Sequence, residues 1–192
     1  SLDVSHSYYL QSDIDAFAKE SAGLSKRLRK GDISFAIRAY DILMERIENR
    51  MAFTEALLEK GFDTSVDETF LWDRKDAGWA ATEADWDELW RKRIKNEYIA
   101  RLVSQQVYAS EEQTETNMTD SVETNTVDSA DTLTTNIVAD TEGEYDEAAE
   151  TASLSPEEFI LERYKQFKLT MESFDEEMLL QRYLSAFSHV YD

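Results

Sequence analysis

The sequence has no cysteine, one proline and five glycines among its 192 residues. The lack of cysteine excludes disulfide bonds, thiolate metal sites and cysteine nucleophiles. A sandwich or barrel with many tight turns normally uses more proline and glycine than this, so the composition favours helices. No apolar run approaches the roughly 18 residues that span a bilayer, and we expect no membrane insertion. Apolar residues still make up 42% of the chain, which suffices for a core.

Basic residues are also scarce. The chain carries 20 lysines and arginines against 41 aspartates and glutamates, a net charge of -21. A field of this sign repels phosphate backbones, so we expect no nucleic-acid partner. The deficit is partly local, because no lysine or arginine occurs from Leu102 to Glu162.

Thirteen acidic residues fall within 111–150, among many threonines, serines and asparagines. Such a segment buries too little apolar surface to offset its ordering entropy, so 110–152 is predicted to be a flexible acidic insertion. The alternative is a cation-binding loop. The segment lacks the alternating oxygen ligands and mid-loop glycine of a calcium hand, and the solvated insertion is favoured.

Helical periodicity flanks this segment on both sides. Asp32 or Ser34 can cap a long helix that reaches about Lys60 and stops at Gly61. Its apolar residues recur at spacings of three and four, with one weak turn at Thr54. They are Ala36, Tyr40, Leu43, Ile47, Met51 and Leu58.

Two capping boxes mark further helices. Thr82 and Asp85 open one that carries Trp86, Leu89, Trp90, Ile94, Tyr98 and Leu102. Ser155, Pro156 and Glu158 open another, with Ile160, Tyr164, Phe167, Met171 and Phe174 on one face. The pattern restarts at Ser173 for a last helix with Leu179, Leu180, Tyr183, Phe187 and Val190.

A shorter helix is predicted from Asp13 to about Arg29, interrupted near Gly23, and 68–73 is predicted to be extended. The predicted fold is therefore all-α, an irregular bundle of about four to five helices with a long acidic disordered insertion. Its parts are a helical region at 1–109, the insertion at 110–152 and two closing helices at 153–192.

Three sequence blocks indicate a family. They are LDVSHSYYL at residues 2–10 followed by SDI, WDRKDAGW at 72–79, and FSHVYD at 187–192. In this order they resemble segments in the helical N-terminal domain of the tail-specific proteases, the carboxyl-terminal processing peptidases of the S41 family. The resemblance covers roughly 1–107 and 154–192.

This family cleaves proteins near their C-termini with a serine activated by a lysine, and a PDZ domain captures the apolar tail of the substrate. The resemblance implies that both parts lie beyond Asp192, so we expect no catalytic residue, no metal site and no cofactor in this chain. It implies a non-catalytic domain that scaffolds the PDZ and protease core in the periplasm. The expected partners are these two domains, protein substrates and an adaptor protein. The alternative is a stand-alone helical interaction module with no attached protease.

The aromatic residues suggest where such an interface would lie. Trp86 and Trp90 sit on a helical stripe and are predicted to be core. Trp72 and Trp79 lie on the connecting segment and are candidates for contacting the rest of the protease, because indoles are enriched at interface centres. Arg74 beside them and Tyr191 at the end of the last helix complete the candidate interface residues.

The remaining polar candidates are expected to be structural. His6 and His189 each neighbour serines, but sequence adjacency is not the geometry of a base facing a nucleophile. Two basic clusters, Lys26, Arg27, Arg29 and Lys30, then Arg91, Lys92, Arg93 and Lys95, are predicted to be solvated faces. The alternative is that either cluster binds an acidic partner surface.

Overall fold

The computed structural model describes the backbone of residues 2–115 and 154–191, and the side chains of 2–107 and 154–186. These residues form α1 (Gln11–Glu20), a 3-10 turn (Ser21–Gly23), α2 (Leu24–Leu28), α3 (Ser34–Lys60), α4 (Glu83–Glu115), α5 (Pro156–Glu172) and α6 (Glu176–Tyr191). Within them the only β pairing is an isolated bridge between Leu10 and Ala80. The all-α prediction is confirmed, including the interruption between α1 and α2.

The predicted caps explain where the helices begin. Thr82 Oγ1 accepts from the Asp85 N–H at 3.1 Å, and Asp85 Oδ2 accepts from the Thr82 N–H at 3.1 Å. Ser155 and Glu158 make the same reciprocal pair at the start of α5. At the start of α3, Asp32 rather than Ser34 supplies the side-chain acceptor, and it receives the Ser34 N–H at 3.0 Å.

Helix α3 ends where a left-handed backbone is needed. Gly61 has a φ of 73°, and its N–H bonds to the Leu57 and Leu58 carbonyls. A glycine adopts this conformation without the strain that a Cβ brings.

The core lies where α3, α4 and α5 meet. Its most buried side chains come from the predicted stripes of these three helices, and all lie on their inward faces: Leu43, Ile47, Trp86, Trp90, Ile94 and Ile160. Helix α6 packs against α3. The two helical blocks that flank the acidic segment in sequence therefore share one hydrophobic core, which is what burying an amphipathic stripe requires.

Helix α4 ends at Glu115, so the first residues of the predicted insertion are helical. Gln and Glu in this stretch are good helix formers, which is why the helix continues past its last core contacts. The rest of the insertion, 116–152, lies outside the described residues. The chain re-enters the described structure beside α4, where the Leu154 carbonyl accepts from Gln105 Nε2 at 2.8 Å.

Among the described residues, none of the helices combines the length and apolarity needed to cross a membrane. Residues 61–82, which connect α3 to α4, form neither helix nor strand apart from the bridge at Ala80. This connecting segment carries most of the candidate interface residues.

Candidate interaction site

The first sequence block folds into a turn around one buried carboxylate. Asp3 is 2% exposed and accepts the backbone N–H groups of Ser7, Tyr8 and Tyr9, each at 3.0 Å. His6, within the turn, has a φ of 48°. The carboxylate thus satisfies three N–H groups that no helix or strand supplies with an acceptor, and buried N–H groups need one.

The same turn is joined to α4 by two tryptophans. The Ser7 carbonyl accepts from Trp86 Nε1 at 2.7 Å and from Trp90 Nε1 at 2.8 Å. Both indoles are almost completely buried, which confirms their prediction as core residues. A buried indole N–H needs an acceptor, and one carbonyl with two lone pairs serves both.

His6 connects the turn to the second sequence block. Its ring stacks on Trp79 with centroids 3.8 Å apart, and Nδ1 bonds to the Ala77 carbonyl. Because a carbonyl can only accept, Nδ1 carries the proton in this contact. Ser7 Oγ donates to the Ser5 carbonyl at 3.0 Å. His6 is therefore structural, as predicted; the side chain of His189 lies outside the described residues.

The four predicted interface residues differ in exposure. Trp79 is half-buried by its contacts with His6 and the core. Arg74 is also half-buried; its Nη2 donates to the Gly78 carbonyl at 3.0 Å, and burial lowers its pKa. Trp72 is 65% exposed. Tyr191 is the last residue of α6, and its side chain lies outside the described residues.

Leu71 was not among the predicted interface residues, yet it is 58% exposed beside Trp72. We call this pair the docking tip. Two adjacent exposed apolar side chains form a small contiguous patch, and contiguous apolar patches are the surface feature that marks interaction sites. The sequence signal that could have identified Leu71 is the break in helical spacing from Thr69 to Trp72, because this break places Leu71 on a connecting segment.

Glu68 holds the connecting segment to α4. Its carboxylate accepts from Arg91 Nη1 at 3.0 Å, from Arg91 Nη2 and from Lys95 Nζ at 2.7 Å. Lys95 Nζ also donates to the Val66 carbonyl at 3.0 Å. We call these contacts the Glu68 clamp. The hydrogen bonds from Arg91 and Lys95 lower the pKa of Glu68 to about 2, so the carboxylate stays charged near neutral pH.

The prediction that residues 91–95 form a solvated cationic face is wrong. Lys95 is 4% exposed and Arg93 is 8% exposed. The Lys95 ammonium group and the Arg93 guanidinium group are each neutralised by a carboxylate within the chain, and such pairing is what allows charges to be buried. The other basic cluster fits its prediction better, because Lys26, Arg29 and Lys30 are exposed while Arg27 pairs with Glu20 at 3.3 Å.

Arg93 belongs to a buried polar group between α4 and α5. Its Nε donates to Glu97 at 3.2 Å, and Tyr164 Oη donates to the same carboxylate at 3.0 Å. Arg163 also pairs with Glu97. Burial raises the pKa of Tyr164 to about 12. Glu97 thereby joins two helices by accepting hydrogen bonds from donors on both of them, which is a structural role.

An open groove runs between the C-terminal half of α3 and the start of α4. It comprises two adjoining hollows of about 320 and 500 Å³ that share Leu57, Lys60 and Arg91. Two of its carboxylates already pair with cations of the chain. Glu68 lies in the Glu68 clamp, and Asp87 pairs with Arg50 at 2.7 Å. In the part of the chain that is described, no cluster of three or more His, Asp or Glu residues is placed to hold a metal ion.

Comparison with known proteins tests the family that the sequence blocks indicate. The profile of the family described as "Tail specific protease N-terminal domain" matches residues 1–192. The tail-specific protease of Haemophilus influenzae is 38% identical over 99 residues, which is 51% of this chain and 14% of that bacterial protein. The chain therefore belongs to the family of tail specific protease N-terminal domains.

Proposed function

We propose that this chain is the non-catalytic scaffold of a C-terminal processing serine protease. In this proposal the domain packs against PDZ and protease domains that lie elsewhere in the polypeptide, and those domains carry the Ser/Lys dyad. The helical domain positions them, and it contributes to substrate access or to the docking of an adaptor protein. The whole protein acts in the periplasm on protein substrates with apolar C-termini.

The observation that carries the proposal is the docking tip. Leu71 and Trp72 stay exposed although the segment around them is fixed to α4 and to the N-terminal turn. Exposed aromatic and aliphatic side chains on a rigid support are typical of an interface that is covered in the complete assembly. The matched part of the Haemophilus influenzae protein is 14% of its length, so such a protein has ample chain to cover the tip.

Two measurements test the catalytic part of the proposal. The 192-residue chain alone should not cleave a peptide with an apolar C-terminus, whereas the full-length polypeptide that contains it should. Cleavage by the isolated chain would contradict the proposal. Cell fractionation of the bacterium that makes the protein should recover it with periplasmic markers, and recovery with the cytoplasmic fraction would contradict the proposed location.

A substitution pair tests the scaffold role in the full-length protein. Trp72→Ala should lower kcat/KM for such a substrate, because truncating an aromatic anchor at an interface costs about 2 kcal/mol or more. Leu169→Ala is the matched control, since Leu169 is a 56% exposed apolar residue on α5. Equal effects of the two changes would show that the tip has no special role. The alternative function, a stand-alone interaction module, predicts a stop codon after residue 192 in the gene.

A further inference from the structure

The docking tip is supported at both ends. On the upstream side the Glu68 clamp fixes Glu68 and the Val66 carbonyl to α4. On the downstream side His6 bonds to the Ala77 carbonyl, and the Gln11 N–H donates to the Ala80 carbonyl at 2.9 Å. The residues between these two supports include Leu71 and Trp72. A short segment held at both ends has few conformations, so its apolar side chains are presented in a restricted geometry.

The charges beside the tip indicate the charge of the surface that would receive it. Asp67, Asp73 and Asp76 are exposed on the same segment, and the exposed Lys75 pairs with Asp73 at 3.5 Å. The half-buried Arg74 is a second cation on the segment, but residues 67–76 hold four carboxylates against two cations, so the segment stays acidic around an apolar centre. The complementary surface is an apolar pocket with a basic rim, because like charges opposite these carboxylates would be repelled.

We propose that Glu68 is a positioning residue for this docking tip, which inserts into a basic-rimmed apolar pocket on the remainder of the same protease polypeptide. This inference rests on the proposed scaffold function. The remainder of the polypeptide is the occupant because a chain of this family is a domain of a longer protein, of which the matched region in the bacterial relative is 14%. Glu68 touches neither that pocket nor substrate; it acts by fixing the backbone that carries Leu71 and Trp72.

The test uses the full-length protease with a specific cleavage sequence inserted after residue 192. The purified protein is cut there, and the Kd for reassociation of the two parts is measured at 0.15 M salt. Trp72→Ala should raise this Kd by about 30-fold or more, as expected for an aromatic anchor. Glu68→Gln should raise it by about tenfold, because the amide has no negative charge and has only one acceptor oxygen, so the bond from Arg91 Nη2 to the second oxygen is lost.

A double-substitution cycle separates positioning from a general structural effect. If Glu68 acts through the tip, Glu68→Gln should change the Kd by less than about twofold when Trp72 is already alanine. The matched control is Glu20→Gln, which removes a similar carboxylate that pairs with Arg27 and Arg38 elsewhere on the domain. This control should change the Kd by less than about twofold. Glu68→Asp keeps the charge but shortens its reach, so its effect should be intermediate.

The outcomes distinguish the two proposals. If Trp72→Ala weakens reassociation and Glu68→Gln does not, the positioning inference is overturned and the scaffold role stands. An equal effect of Glu68→Gln with and without Trp72 also overturns the inference, because Glu68 then acts elsewhere. If Trp72→Ala leaves the Kd unchanged, the docking tip is not an interface, and the support that it gives to the scaffold role is lost. Far-UV circular dichroism of each variant checks that it is folded, and Glu68→Asp replaces Glu68→Gln if the latter is not.

Discussion

Replacing Asp3 by alanine should be among the most destabilising single changes in this domain. The side chain is 2% exposed, and it accepts three backbone N–H groups at 3.0 Å. Alanine removes both oxygens and leaves the N–H groups of Ser7, Tyr8 and Tyr9 without this acceptor. The turn also holds Ser7, whose carbonyl receives both core indoles, so its loss should reach α4.

The magnitude follows from the number of bonds. A hydrogen bond to a charged group contributes about 1.5–3 kcal/mol, and water entering the vacated space restores part of the loss. Three such bonds, discounted for that water, give about 4 kcal/mol. Since 1 kcal/mol shifts the Tm of a domain of this size by about 2–4 °C, the Tm should fall by about 12 °C.

The assay is urea unfolding of the 192-residue chain, followed by far-UV circular dichroism. Asp3→Asn keeps one acceptor oxygen and should lose about 2 kcal/mol, half the effect of alanine. Asp41→Ala removes an exposed carboxylate on α3 and should change the free energy of unfolding by less than about 0.5 kcal/mol. A loss below about 1 kcal/mol for Asp3→Ala would refute the idea that this carboxylate holds the turn.

Three further changes test other parts of the fold. The pKa of Glu68 is lowered from 4.5 to about 2, so its charged form contributes stability above pH 4.5 that is lost as the pH falls from there to 2. The difference in unfolding free energy between wild type and Glu68→Gln should therefore be constant near neutral pH and shrink over that range; a constant difference down to pH 2 would contradict the lowered pKa. Tyr164→Phe should cost about 1–2 kcal/mol in urea unfolding, because the partly buried Glu97 loses a hydrogen-bond donor, and a neutral result would show that Arg93 and Arg163 suffice. Deleting residues 112–150 should shift the Tm by less than about 3 °C, since loop length enters closure entropy logarithmically, and a larger fall would show that the segment supports the core.

Much of the fold could be predicted because its signals are local. The capping boxes at Thr82 and Ser155, the stop at Gly61 and the apolar stripes each depend on residues within one or two helical turns. The structure confirms these predictions because helix geometry and side-chain burial both depend on the same short spacing. The predicted start of the insertion at residue 110 is too early, because the lack of large apolar residues after Tyr108 does not by itself end a helix made of good helix formers, and α4 continues to Glu115.

The candidate site was harder to predict for the opposite reason. Whether Arg91 and Lys95 face solvent depends on Glu68, which is 23 and 27 positions away in the chain. The role of Asp3 as the centre of a buried turn had no periodic signal. Trp72 and Trp79 belong to one sequence block, but only their tertiary neighbours make Trp79 half-buried and leave Trp72 in solvent.

The sequence by itself determined the helices, their apolar faces and the family, because the helices follow from short-range periodicity and the family follows from three sequence blocks in a characteristic order. Only the tertiary structure decided which charges are buried, which tryptophan is exposed and how the N-terminal turn joins α4. Those outcomes depend on partners such as Ser7 and Trp86, which are 79 residues apart and meet only when the whole core closes.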